Sequence, residues 1–274
     1  MQDIMQLKRL PRWLAVAVLV AFSGIVLFWL ANTPDTPGGK LLAVGYAICH
    51  QIVARSFLID GTPMPLCARC TGIYLGVATG WLLMQIAGRS RAAKVPTLRV
   101  SAFLFLALVG MAFDGINSYI HLFPGGTGLY EPHNWLRVTT GIFAGFALFC
   151  YVYPVFNAVV WAEPDENQRT LGSLRELAGA AAILVFVLLL VLSERPLFLS
   201  ILAVASIFGV VFMLTMVGTV LFLSLFRLEN TAQGYRALVI PLLAGLTFTF
   251  ILVGGVDALR YFLTGTWAGL SIGG

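Results

Sequence analysis

The stretch WLAVAVLVAFSGIVLFWLA, Trp13–Ala31, contains no charged side chain. A helix needs about 20 apolar residues to cross the roughly 30 Å hydrocarbon layer of a bilayer. Lys8, Arg9 and Arg12 precede the run, as in a signal peptide. The run is too long for the hydrophobic part of such a peptide, and no small-residue cleavage site follows it. It is therefore read as an uncleaved first membrane span.

The rest of the chain continues the pattern. Of the 274 residues, 59% are hydrophobic and 11% charged, and the mean hydropathy is +0.91. Soluble domains carry about 25% charged residues. Apolar runs near twenty residues long place spans near 13–31, 67–87, 100–122, 135–159, 177–193, 197–226 and 236–263. The expected fold is all-α, a polytopic transmembrane bundle of about seven helices forming one domain over residues 1–274. The apolar stretch 41–52 is too short to cross and reads as an interfacial or re-entrant helix. The sixth span is long, which implies tilt or an extension past the bilayer.

The net charge of +5 marks orientation rather than nucleic-acid binding. Lys8, Arg9 and Arg12, then Arg89, Arg91, Lys94 and Arg99, then Arg169 and Arg175, then Arg227 and Arg236 all fall in alternate connections. Cytoplasmic loops attract Lys and Arg, so the N-terminus is expected inside and the C-terminus outside. The expected location is a bacterial cytoplasmic (inner) membrane, with lipids as constant partners. Tryptophans at 13, 29, 81, 135, 161 and 267 fall mostly near span ends, as an interfacial belt requires.

Polar residues gather on the outer side. CHQIVARSFLIDGTPMPLCARCTGIYLG, Cys49–Gly76, holds three of the four cysteines and one of the three histidines. Asp114 and Asn117 lie three apart on the third span, with His121 a turn further. Asn134 and Arg137 open the fourth span, and Asp257 and Arg260 close the seventh. Residues three apart share a helix face. Charges inside spans usually face the bundle interior, a cavity or a partner. One reading is two structural ion pairs with arginines reaching for the interface. The other is a polar cavity opening outward beneath the cysteines, favoured by Asp114, which has no local counter-ion.

Three readings compete for the cysteines. Thiolates at Cys49, Cys67 and Cys70, completed by a nitrogen from His50, His121 or His133, would suit zinc or another soft transition metal such as Cu(I). A disulfide or redox relay would bridge Cys49 to Cys67 or Cys70, fitting an oxidising outer compartment. The third reading is reduced cysteines that only pack. Cys150 reads as a plain core residue. Arg55 and Arg69, with the helix start beside them, favour thiolate over thiol. Gly72, Gly76 and Gly80, and Gly141 and Gly145, lie four apart and predict close helix contact that brings Cys67 and Cys70 near Asn134 and Arg137.

The motifs CHQ, RSF, PLCARCTGIYLG, the Asp114–Gly115 pair and NWLRVTTGIFAG (Asn134–Gly145) resemble a family of predicted bacterial membrane proteins catalogued as a domain of unknown function. The resemblance covers roughly residues 45–150; the helices over 160–274 lie beyond it. It implies a motif set including Cys49, His50, Gln51, Arg55, Ser56, Cys67, Arg69, Cys70, Gly72, Tyr74, Asp114, Asn134, Arg137 and Gly141, and no defined activity.

The leading expectation is a Cys/His metal centre at Cys49, His50, Cys67 and Cys70 above a polar cavity. Asp114 and Arg137 are the candidate reactive pair. Arg55, Arg69, Tyr74, Asn117, Asn134, Asp257 and Arg260 would bind an anionic lipid or small molecule. The alternatives are a quinone-linked thiol–disulfide oxidoreductase using Cys67 and Cys70, and a transporter or non-catalytic membrane subunit.

Overall fold

The computed structural model describes residues 10–123 and 125–269, so Lys8 and Arg9 lie outside the described residues. Seven long helices form: α1 (Arg12–Asn32), α3 (Ala68–Ile86), α4 (Leu98–Ile120), α5 (Asn134–Val160), α6 (Leu174–Leu192), α7 (Pro196–Leu225) and α8 (Val239–Thr264). Their bounds match the seven apolar runs to within a few residues. A shorter helix, α2 (Pro37–Ile48), stands where the interfacial segment is expected. Pro37 starts it, and the Thr36 hydroxyl caps it by accepting from the Gly39 N–H at 3.0 Å.

Among the described residues, six helices are long and apolar enough to cross a membrane: α1, α4, α5, α6, α7 and a segment running from Tyr235 to the end of α8. The exception among the seven is α3. Its sequence carries Arg69, Thr71, Thr79 and a glycine row. The helix lies inside the bundle against α5 and α7, where protein rather than lipid surrounds it. A helix sheltered in this way does not need a lipid-compatible surface.

The α3–α5 contact is the most extensive in the molecule, and glycines create it. A Cβ added at Gly72 or Gly76 would collide with the carbonyl oxygen of Val138 or Ile142. One added at Gly141 or Gly145 would collide with the carbonyl of Arg69 or Ile73. The two backbones therefore meet directly, the arrangement that small residues four apart permit. Around this pair lies a core that includes Leu75, Ile142, Phe146, Phe149 and Cys150. α8 packs on both α7 and α1.

The connections form two polar ends. At the basic end, β3 (Ala92–Lys94) pairs in parallel with β4 (Asp165–Arg169), and Trp161 bridges to Ala232. Arg89 grips Glu176 through both Nη atoms at 2.6 and 2.9 Å. That bidentate contact holds the Arg89 guanidinium above its ordinary pKa. At the other end lie α2, a short hairpin of β1 (Leu58–Ile59) and β2 (Thr62–Pro63), and the α4–α5 connection. All three motif cysteines belong to this end.

Candidate metal centre and its polar neighbour

Cys49 ends α2, and Cys67 sits in extended conformation just before α3, with Cys70 in its first turn. The chain between them returns because Gln51 adopts a left-handed φ of 50° and ties its side-chain amide to the carbonyls of Leu42 and Pro65, at 3.0 and 2.8 Å. Gly45 makes room for that return, since a Cβ there would collide with the Pro65 carbonyl. The result is a triangle: the sulfurs of Cys49, Cys67 and Cys70 all lie within 4.8 Å of one another. Among the described residues, this is the one group of three or more Cys, His, Asp or Glu side chains so closely gathered.

The sulfurs are unbonded to each other and largely buried. The Cys49 sulfur accepts the Cys67 and Gln51 backbone N–H groups at 3.2 and 3.4 Å. Around the triangle pack Leu66, from the segment before α3, and Trp29, Tyr74, Ile207, Val210, Phe250 and Val253, from α1, α3, α7 and α8. Hydrogen bonds from Cys49 and Cys70, with help from His50, hold the Cys67 thiol well below its ordinary pKa. Hydrogen bonding to Cys67 and burial push Cys49 up to about 12. A second negative charge in the triangle is thus opposed, and a bound cation would displace the remaining protons.

No histidine belongs to the triangle itself. His50 Nδ1 accepts the Ile52 N–H at 3.0 Å. His121 Nε2 lies 3.0 Å from the Tyr130 carbonyl, and His133 stacks on Trp135 with ring centroids 6.5 Å apart. His50 influences Cys67 from beside the group rather than within it.

Next to the sulfurs gather Arg55, Arg69 and Arg137, and Arg69 pairs with the Asp114 carboxylate. Asp114, 1% exposed, finds its counter-ion in Arg69 of α3, which also donates to the Asp114 carbonyl at 3.2 Å and the Ser118 hydroxyl at 3.0 Å. The other Asp114 oxygen accepts the Tyr130 hydroxyl at 2.9 Å. Burial and the Asp114 charge push that phenol up to about 12, so it remains a donor. Arg137 is buried, donates to Asn134 Oδ1 at 2.7 Å, and leaves its Nε without a partner. Arg55 donates to the Ser118 carbonyl at 3.1 Å. Burial first, and then Arg69, hold the Arg55 guanidinium below its ordinary pKa. Asn117 pins the α4–α5 connection through the Tyr130 carbonyl and the Leu129 N–H at 2.8 and 2.7 Å. Asn134 reaches the Ala54 carbonyl at 3.3 Å.

Asp257 and Arg260 do not pair with each other. Asp257 accepts the Trp29 indole N–H at 2.9 Å and borders a cavity of about 600 Å³ between α1 and α8. Arg260 turns to the cysteine loop. It donates to the carbonyls of Tyr46, Cys49 and His50 at 2.6, 2.7 and 3.2 Å and stacks 3.9 Å over the Tyr46 ring. Sequence reasoning did not single out Tyr130, Ser118 or Trp29 as site residues. A loop tyrosine, a helix serine and an interfacial tryptophan carry no pattern that separates them from ordinary ones.

Fold and residues together define a multi-pass helical membrane protein with a three-cysteine cluster at one end of the bundle. Residues 49–151 match the family described as predicted membrane protein (DUF2085), and the chain belongs to that family. It is 39% identical over 121 residues to the "Uncharacterized protein MJ1492" of Methanocaldococcus jannaschii, covering 44% of this chain and 71% of that one. It is also 37% identical over 101 residues to an uncharacterized protein of Methanothermobacter thermautotrophicus, covering 37% of this chain and 80% of that one. Both relatives are archaeal, so the expectation of a bacterial protein finds no support in them. No solved structure matches the chain.

Proposed function

We propose that this protein is an integral membrane metal-binding protein. Cys49, Cys67 and Cys70 hold a soft transition-metal ion, zinc or a softer neighbour. Arg55, Arg69 and Arg137 answer the negative charge beside it, whether that charge sits on the thiolates or on an anionic lipid or small molecule. Asp114 sets the position of Arg69. The observation that carries the reading is the approach of three sulfurs from two chain segments to within 4.8 Å in buried surroundings. Metal–sulfur bonds of about 2.3 Å put ligand sulfurs roughly 4 Å apart.

Elemental analysis of the detergent-purified chain tests it. About one soft metal ion per chain is expected in the wild type, and a loss of that ion in Cys67→Ser. A wild-type protein that stays metal-free after anaerobic incubation with Zn(II) and Cu(I) would end the reading. The C-x-x-C spacing of Cys67 and Cys70 favours a second reading, a thiol–disulfide oxidoreductase. Mass spectrometry under non-reducing conditions separates the two, because an oxidoreductase requires a pair that cycles between thiol and disulfide.

A further inference from the structure

We infer that the cysteine triangle is a three-coordinate site for a monovalent soft cation, copper(I), and not a four-coordinate zinc site. The inference rests on the metal-centre reading above and deepens it.

Coordination number is the first argument. Structural zinc takes four ligands, whereas the group here ends at three sulfurs. Among the described residues no His, Asp or Glu donor atom lies within 4.8 Å of all three sulfurs, and His50 touches Cys67 alone. His50 Nδ1 faces the Ile52 N–H, His121 the Tyr130 segment, and His133 the Trp135 ring. Asp114 serves Arg69 and Tyr130, and Asp257 serves Trp29. A water could complete a zinc shell, but an ordered buried water needs two to four polar partners. Apart from the Tyr74 hydroxyl and the arginines on the Cys67 side, the residues packed with the triangle are apolar, with Leu66, Ile207, Val210 and Val253 among them. Soft thiolate sets suit Cu(I), a d¹⁰ ion stable with three sulfurs in a plane.

Charge is the second argument. Arg55, Arg69 and Arg137 against Asp114 leave two positive charges in excess beside the triangle, with Arg137 buried and Arg55 and Arg69 partly exposed. Of these, Arg55 and Arg137 lie close enough to Cys67 to feel its charge. A divalent ion on three thiolates carries one negative charge, and a monovalent ion carries two. Only the second brings the cluster to neutrality. Uncompensated charge away from water is costly, so the arginine excess favours the monovalent occupant. The backbone N–H groups of Gln51 and Cys67 aimed at the Cys49 sulfur act in the same direction, by favouring thiolate.

The test is a pair of anaerobic competition titrations on the full chain in detergent. One sets Cu(I) against bathocuproine disulfonate, and the other sets Zn(II) against 4-(2-pyridylazo)resorcinol. X-ray absorption at the metal edge reads the shell. The expected result is one Cu(I) per chain with three sulfur neighbours at about 2.3 Å and no nitrogen, while Zn(II) passes to the chelator. His50→Ala is expected to keep the three-sulfur shell, with affinity falling by about 10–100-fold as for an outer-sphere partner. Arg55→Gln, a half-exposed position, is expected to weaken Cu(I) more than Zn(II). Zinc retained with a nitrogen in its shell, or a His50→Ala shell that loses a ligand, would overturn the inference and leave the metal centre standing. Failure of both ions to bind would overturn both.

Discussion

At the scale of single residues, the chemistry of this protein is set by who answers whom across helices. Asp114 is buried in a helix with no basic neighbour in sequence, and its partner comes from α3, 45 positions earlier. Removing one member of a buried pair leaves a charge without compensation, which costs about 3–5 kcal/mol; Arg69 is partly exposed, so the lower end applies here. Arg69→Met should therefore lower the thermal unfolding midpoint in detergent clearly more than the double variant with Asp114→Asn does. Equal losses would show that the two groups do not act as a pair. Metal binding should also strengthen with pH, since the Cys49 proton, held up to about 12, must leave. Each proton released, one from Cys49 and one from Cys70, gives about a tenfold gain in affinity per pH unit below that value, which competition titrations at pH 6.5, 7.5 and 8.5 would measure. Sequence alone pointed to the cysteines, arginines and Asp114, because such residues are rare in so apolar a chain. It did not reveal the pairing. Asp257 and Arg260 lie on one face and look like partners, yet each reaches for a different helix, and spacing along one helix says nothing of that.

At the scale of elements, glycine placement decides which helix lies at the centre. The four-residue spacing was legible, and so was the close α3–α5 approach it implies. Less legible was the burial of α3 itself, because hydropathy measures compatibility with lipid rather than enclosure by protein. The contact is backbone against backbone, so no rotamer change can relieve an added side chain at Gly145. Overpacking of an ordinary core costs about 1–3 kcal/mol. Gly145→Val should exceed that range, giving loss of folded monomer by size-exclusion chromatography, whereas Gly179→Val, where an added Cβ meets open space, should behave as wild type. Equal behaviour of the two would show that the helices do not meet as described.

At the scale of the whole molecule, seven long helices alternate between a basic end and a cysteine end. Basic loops stay in the cytoplasm, so reporters placed in the loop at 161–173 should report a cytoplasmic side and those at 121–133 the opposite side. The reverse result would turn the cysteine end inward. The run lengths made this plan readable from the sequence. The inner architecture of the cysteine end was not, because it joins residues near 50, 114, 137 and 260.

That last residue carries a consequence for how the protein matures. The loop bearing Cys49 and His50 is fastened by an arginine more than two hundred positions later, on the last helix. A ribosome delivers the sulfurs early and their clasp late. On the proposed metal-centre reading, the loop that carries Cys49 gains this fastening only once α8 has joined the bundle.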